Sequence, residues 1–338
     1  MNCVSYVDLH RQVSLDIEAE LESAIRNLDP ASHTSAARKA VITLLRHQKL
    51  KHPLSVLPML VHGAETGNTA PAVPLSALHV LWWTSACYLD DLADAHRGPA
   101  ASEGIGRNEA LMASVLAGTV LPIRIIHSLP APECVRGRLA AEMATGWAVG
   151  VEGQLRDMGG DPAAATARSV ITAYRGKSGG PFSMITAMAA LLSGTDEGRI
   201  ELWREFGYVF GILWQIFNDQ EDILSGRNED LRNGTVTYLL TCALEESPSP
   251  AARGHLLALC SAARDSGAAR TELTSALLEP SVLRRYRADL AAFRAEAHRL
   301  LGVLGGDEQY LPVLRHLVEQ ASAMLLQPAP VPVAPVTV

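Results

Sequence analysis

The sequence predicts an all-α protein built as one large helical bundle, and three observations predict it. Apolar residues recur at helical spacing along nearly the whole chain. Ala, Leu, Arg and Glu, all good helix formers, dominate those stretches, while β-branched alternation is scarce. Clusters of Gly, Pro, Asn and Ser punctuate them. With 338 residues, 48% apolar and 19% charged, the chain has material for a sizeable core and is not composed like a disordered one.

Taken in order, helical periodicity marks 13–28 and 36–50, before the turn-rich stretch 66–74. The strongly apolar 75–92 follows, closed by acidic residues and the Gly-rich 97–106. Residues 109–126 and 135–158 are separated by SLPAP at 128–132, and 166–192 and 199–224 by the breakers at 193–198. After 225–235 and 246–250, helical spacing resumes at 251–263. The last residues, QPAPVPVAPVTV, alternate Pro with small apolar residues and cannot continue a helix. The expected organisation is a single helical domain over 1–326, with a disordered Pro-rich tail at 327–338.

Charge and cysteine content narrow the function. Lys and Arg total 29 against 36 Asp and Glu, a net charge of −7, which argues against general nucleic-acid binding. The most apolar run, 208–217, falls short of the roughly 18 residues of a membrane span, so no transmembrane segment is expected. The start, MNCVSYVDLHRQVSLDIEAELE, has early acids and no apolar block, which points to a cytoplasmic protein and not a secreted one. Cys3, Cys87, Cys134, Cys242 and Cys260 are odd in number and contain no CxxC pair, so they read as reduced thiols.

Two acidic clusters carry the chemistry. In WWTSACYLDDLADAHRG, Asp90 and Asp94 are four apart on one helix face and Asp91 flanks them. In FGILWQIFNDQEDILSG, Asp219 and Asp222 are three apart, with Asn218 and Glu221 beside them. A solvated helix end gives a similar pattern, but both clusters sit directly on stretches that read as buried, LWWTSACYL and VFGILWQIF. Grouped carboxylates repel one another unless a cation arrives, and hard oxygen donors on helices suit Mg²⁺.

With these residues in hand, the chain resembles the trans-isoprenyl diphosphate synthases, the polyprenyl synthetase family, over roughly 36–240. The family's first DDxxD appears as Asp90, Asp91 and Asp94, and its GQxxD as Gly153, Gln154 and Asp157. Its Lys-Thr pair at a helix break appears as Lys177-Ser178 in YRGKSGG, and its FQxxDDxxD as Trp214, Gln215, Asn218, Asp219 and Asp222. Four motifs in the right order make the resemblance specific. It implies the class I isoprenoid synthase fold, a homodimer, and three Mg²⁺ ions bridging the clusters to an allylic prenyl diphosphate, whose C–O bond ionises to a carbocation. On that resemblance the catalytic residues are Asp90, Asp91, Asp94, Lys177, Asp219 and Asp222, with Asn218 a further metal ligand. Arg97, Lys177, Ser178, Gln215 and Arg227 are the diphosphate-binding candidates. Lys49, Trp82, Trp83, Ser85, Ala86 and Gln154 line the acceptor or tail pocket, where Ser85 and Ala86 leave room for the chain and Trp82 is its floor.

The departures concentrate on the second substrate, isopentenyl diphosphate. The family's GKRxRP reads QKLKHP at 48–53, so Lys49 survives while Leu50 and His52 replace arginines. Trp83 stands at the family's histidine, and its Arg-Arg pair is His96-Arg97 in a shortened loop. Charge-assisted contacts are worth roughly 1.5 to 3 kcal/mol each, so their loss predicts weak binding of that headgroup. In the second cluster Asn218 replaces an aspartate and offers an uncharged oxygen. The resulting expectation is a Mg²⁺-dependent prenyltransferase with an unidentified acceptor other than isopentenyl diphosphate. Ordinary chain elongation and terpene cyclisation on the same fold are the alternatives, and a non-catalytic regulatory subunit comes last.

Overall fold

The computed structural model describes residues 5–28, 35–47, 53–94 and 105–328, and among them there is no strand. In chain order the helices are α1 (Tyr6–Arg26), α2 (Ala36–His47), α3 (Leu57–Thr66), α4 (Val73–Asp94), α5 (Arg107–Val115), α6 (Leu121–Ser128), α7 (Glu133–Met158) and α8 (Ala167–Tyr174). They continue as α9 (Gly180–Leu192), α10 (Glu197–Leu224), α11 (Glu229–Asn233), α12 (Tyr238–Glu245), α13 (Pro250–Ala263), α14 (Gly267–Leu277), α15 (Pro280–Leu304) and α16 (Leu311–Ala321). The helix starts are written locally. Ser5, Thr166, Thr237, Ser249 and Ser266 each accept a backbone N–H of the first turn that has no partner within the helix.

Two stretches expected as single helices, 109–126 and 166–192, are each interrupted by a π-helical turn, at Leu116–Val120 and Arg175–Gly179. Proline explains both positions. Pro122 and Pro181 follow these turns and have no N–H to donate four residues back, so the carbonyls of Gly118 and Lys177 lose their regular helical partner. At Gly118 the indole Nε1 of Trp147 fills the gap, donating at 2.8 Å. Apolar periodicity continues through such a turn, which is why the sequence read as unbroken helix.

The chain divides into two compact units. The first comprises Met1–Val149, Gly180–Tyr208 and His298–Leu317. Its centre is α4, packed by α1, α3, α5, α6 and α9, with Leu75, Leu78 and Leu81 fully buried. Helix α9 is buried from Gly180 through Leu191. The carboxylate of Glu65 is held by Arg199 at 2.6 Å and by the Trp203 indole N–H at 2.6 Å. The second unit comprises Gly150–Gly179, Val209–Ala297 and Val318–Val338. Here Leu213, Ile216, Tyr174, Tyr286 and Leu277 form the core, and α13 and α14 pack against each other and against α12. The tail expected at 327–338 lies, from 329 on, outside the described residues.

Among the described residues, one helical stretch, Arg107–Ser128, is long and apolar enough to cross a membrane, and half of its most apolar window is buried in the fold. The expectation of no such segment rested on uninterrupted apolar runs, which this stretch breaks with Pro122 and Arg124.

Candidate active site

The first acidic cluster belongs to the first unit. Asp90 is half-buried and Asp91 exposed near the end of α4; Asp94 closes the helix, and its side chain lies outside the described set. One to two turns earlier the same helix carries the proposed pocket residues. Trp82 is 2% exposed, its ring lies 4.6 Å from that of Trp147, and its indole N–H has no partner among the described residues. Ser85 is buried and donates to the carbonyl of Ser114 at 2.8 Å, while Ala86 is half-buried. Trp83 packs 5.1 Å from Phe182 and 5.8 Å from His79, the latter edge to face. Lys49, Leu50, His52, His96 and Arg97 lie outside the described residues.

The second cluster lies wholly in the second unit, and its acids are deeply engaged. Asp219 is buried; its Oδ1 accepts from the amide of Gln215 at 2.9 Å and its Oδ2 from the phenol of Tyr174. The chain of donors runs on. Ser178 Oγ donates to Gln215 Oε1 at 2.5 Å, and the backbone N–H of Tyr238 donates to Tyr174 Oη at 2.9 Å. Asp222 is turned to the start of α11, accepting the N–H groups of Glu229 at 3.0 Å and Asp230 at 3.2 Å, with the Arg227 guanidinium 3.8 Å away. Asn218 is exposed.

Lys177 sits on the π turn and donates to Asp157 Oδ2 at 2.8 Å, with both side chains largely buried. This placement requires two glycines. A Cβ on Gly153 would overlap the backbone of Gly176 and Lys177, and one on Gly211 would overlap that of Ser178 and Gly179. Helices α7 and α10 thus close on the turn from both sides where no side chain intervenes. Gln154 follows Gly153 and is half-buried.

The electrostatics show a site short of positive charge. Burial, reinforced by Asp157, pushes the Asp219 carboxyl up to about 7, against the hydrogen bonds from Tyr174 and Gln215 that pull it down. Asp230 is raised well above the ordinary carboxylate range by burial and then by the charges of Asp219 and Asp222, and Tyr174 is raised by burial and by Asp219. Oxygen donors in surplus over cations are the set a hard divalent ion takes. Among the described residues no three His, Cys, Asp or Glu side chains are gathered in ligating geometry, so the fit to Mg²⁺ is one of donor chemistry and charge.

The polyprenyl synthetase family profile matches residues 64–274, which spans both acidic clusters, the GQxxD segment and the Lys177 turn. The chain belongs to the polyprenyl synthetase family. It is therefore a prenyltransferase of isoprenoid biosynthesis, in a family that depends on Mg²⁺ and is commonly dimeric. No curated protein sequence matches the chain. Solved structures match it over almost their whole length. Geranylgeranyl pyrophosphate synthetase from Pyrococcus horikoshii is 18% identical, with 93% of this chain and 99% of that one covered at a TM-score of 0.75. A decaprenyl diphosphate synthase from Rhodobacter capsulatus is 19% identical, with 94% and 98% covered, also at 0.75. Geranylgeranyl pyrophosphate synthase from Corynebacterium glutamicum, complexed with isoprenyl diphosphate and magnesium, is 16% identical, with 90% and 97% covered at 0.73. At these identities the likeness establishes the all-α isoprenoid synthase fold.

Sequence reasoning missed two members of the second cluster, Tyr174 and Asp230. Tyr174 lies three residues before Lys177 and is not one of the motif positions, and Asp230, in the first turn of the short helix α11, belongs to no motif either.

Proposed function

We propose that this chain is a Mg²⁺-dependent prenyltransferase that ionises an allylic prenyl diphosphate and passes the prenyl group to an acceptor other than isopentenyl diphosphate. The observation that carries the reading is Trp83. At the position where the family places a histidine, its indole packs with Phe182 and His79, so the residue itself brings a diphosphate headgroup no positive charge but gives a flat or apolar acceptor a matching face. The loss of arginines at Leu50 and His52 points the same way.

Asp90, Asp91 and Asp94 are the residues that would hold magnesium in the first unit, and Asn218, Asp219 and Asp222 those that would hold it in the second. Bound there, the metal supplies Lewis-acid stabilisation of the departing diphosphate. Lys177, fixed by Asp157, acts electrostatically on Asp219, and Ser178 with Gln215 orders that carboxylate. Arg227 and, from the sequence, Arg97 are further diphosphate partners, and Trp82 with Ser85 and Ala86 bounds the prenyl tail. The chain works as a homodimer, a reading supported by the exposed apolar residues Met112, Val115, Val120 and Ile123.

Ordinary elongation with isopentenyl diphosphate is the second reading, favoured by the solved neighbours, which are geranylgeranyl and decaprenyl diphosphate synthases. The deciding experiment incubates the protein with Mg²⁺ and geranyl, farnesyl or geranylgeranyl diphosphate, with and without isopentenyl diphosphate, and weighs the products. A product longer by one isoprene unit would establish elongation and overturn the proposal.

A further inference from the structure

Gln220 lies between Asp219 and Asp222 on α10, and nothing in the proposed chemistry uses it. It is 0% exposed, and its amide is bonded at both the nitrogen and the oxygen. Nε2 donates to the carbonyl of Ala323 at 3.1 Å, and Oε1 accepts the backbone N–H groups of Leu325 at 2.8 Å and Leu326 at 3.4 Å. The segment it holds, 323–328, follows α16 and has no regular secondary structure, so these backbone groups have no helix or ladder to join. Leu326 beside them is 1% exposed. The dependence is mutual. Removing the segment orphans an amide inside the acidic helix, and removing the amide orphans two N–H groups and a carbonyl in the segment.

The same turn of α10 has two other anchors already described, Tyr174 on Asp219 and the start of α11 on Asp222. We propose that 323–328 is the third, a positioning strap for prenyl transfer. Docked on Gln220, it holds the end of α10 in the register in which Asn218, Asp219 and Asp222 receive a metal-bound diphosphate. This rests on reading that cluster as a diphosphate site. Gln220 is a positioning residue, acting through its neighbours in the helix and touching no substrate.

A segment that merely covers core would be indifferent to what occupies the cluster, whereas a strap cannot be. If docking raises affinity for the metal-bound diphosphate, occupancy must tighten docking by the same factor. The test uses the intact chain with magnesium and inorganic diphosphate as probe. Calorimetry records binding, and hydrogen exchange follows the amides of Leu325 and Leu326. Exchange at both is expected to slow about tenfold at saturation, within the usual range of coupling between sites. In parallel, Gln220→Leu and a chain ending after Ser322 should bind the probe about tenfold more weakly and lose kcat more than they raise KM, while a chain ending after Pro328 matches the parent. Binding by the intact chain with unchanged exchange would overturn the strap alone, as would a folded Gln220→Leu with parental affinity. Absence of binding by the intact chain would overturn the diphosphate reading of the cluster, and the strap with it.

Discussion

Asp219 engages its two oxygens with Gln215 and Tyr174 and its carboxyl is still pushed up to about 7, because burial outweighs both hydrogen bonds. The sign of the consequence follows from linkage. The folded chain keeps a proton that the unfolded chain releases in the ordinary carboxylate range, so this group favours folding at low pH and loses that contribution as pH rises through about 7. Without divalent cations, the melting temperature should therefore fall between about pH 5 and about pH 7.5, and Asp219→Asn should make that slope shallower. Thermal melts of both proteins across this range decide it, and an unchanged slope in a folded variant would place the titration elsewhere. Asn218 gives the complementary change. Restoring the family's carboxylate with Asn218→Asp should lower the Mg²⁺ concentration for half-maximal turnover about tenfold, since a charged oxygen replaces a neutral one on a hard ion. The carboxylates were legible in the sequence because their spacing is local. The hydrogen bond from Tyr174 was not, since it joins residues 45 positions apart.

At the scale of the element, the π turn that carries Lys177 is the feature on which the second unit's site depends. The sequence showed a Gly-flanked helix break and the GQxxD motif as separate signals. Their union needs packing, because Gly153 is required only where α7 meets the backbone at Gly176 and Lys177. Gly153→Ala must part the helix from the turn, since backbone cannot swing aside as a flexible side chain does. Overpacking of this kind costs roughly 1 to 3 kcal/mol, and with Lys177 displaced from Asp157, turnover should fall by about a hundredfold or more. Gly137 on the same helix is the control. A Cβ there meets nothing within 4 Å, so Gly137→Ala should stabilise the protein by about 0.5 to 1 kcal/mol and leave turnover unchanged. Circular dichroism melts and steady-state kinetics on the pair separate helix propensity from the close approach. The C-terminal helices α14, α15 and α16 carry no motif, and only the general helical periodicity announced them.

For the whole molecule, the question is what covers the exposed apolar residues of the stretch Arg107–Ser128. Met112 is 59% exposed and Val115 50%, on a stretch whose other side supplies core residues such as Leu121 and Ile125. That burial opposes insertion across a bilayer, because extracting the stretch would expose the core of the first unit to water. A second copy of the chain is the occupant consistent with a commonly dimeric family, and burying such residues between two copies contributes roughly 25 cal/mol for each Å² removed from water. The double variant Met112→Glu with Ile123→Glu places two charges from each copy into that surface, where desolvation opposes association. It should shift the chain from dimer to monomer in analytical ultracentrifugation at micromolar concentration, with little loss of helical content, since both positions are exposed within one copy. Flotation with anionic and neutral vesicles tests the other occupant. If the parent sediments as a monomer and floats with lipid in a Met112-dependent way, the surface serves a membrane and the homodimer proposal fails.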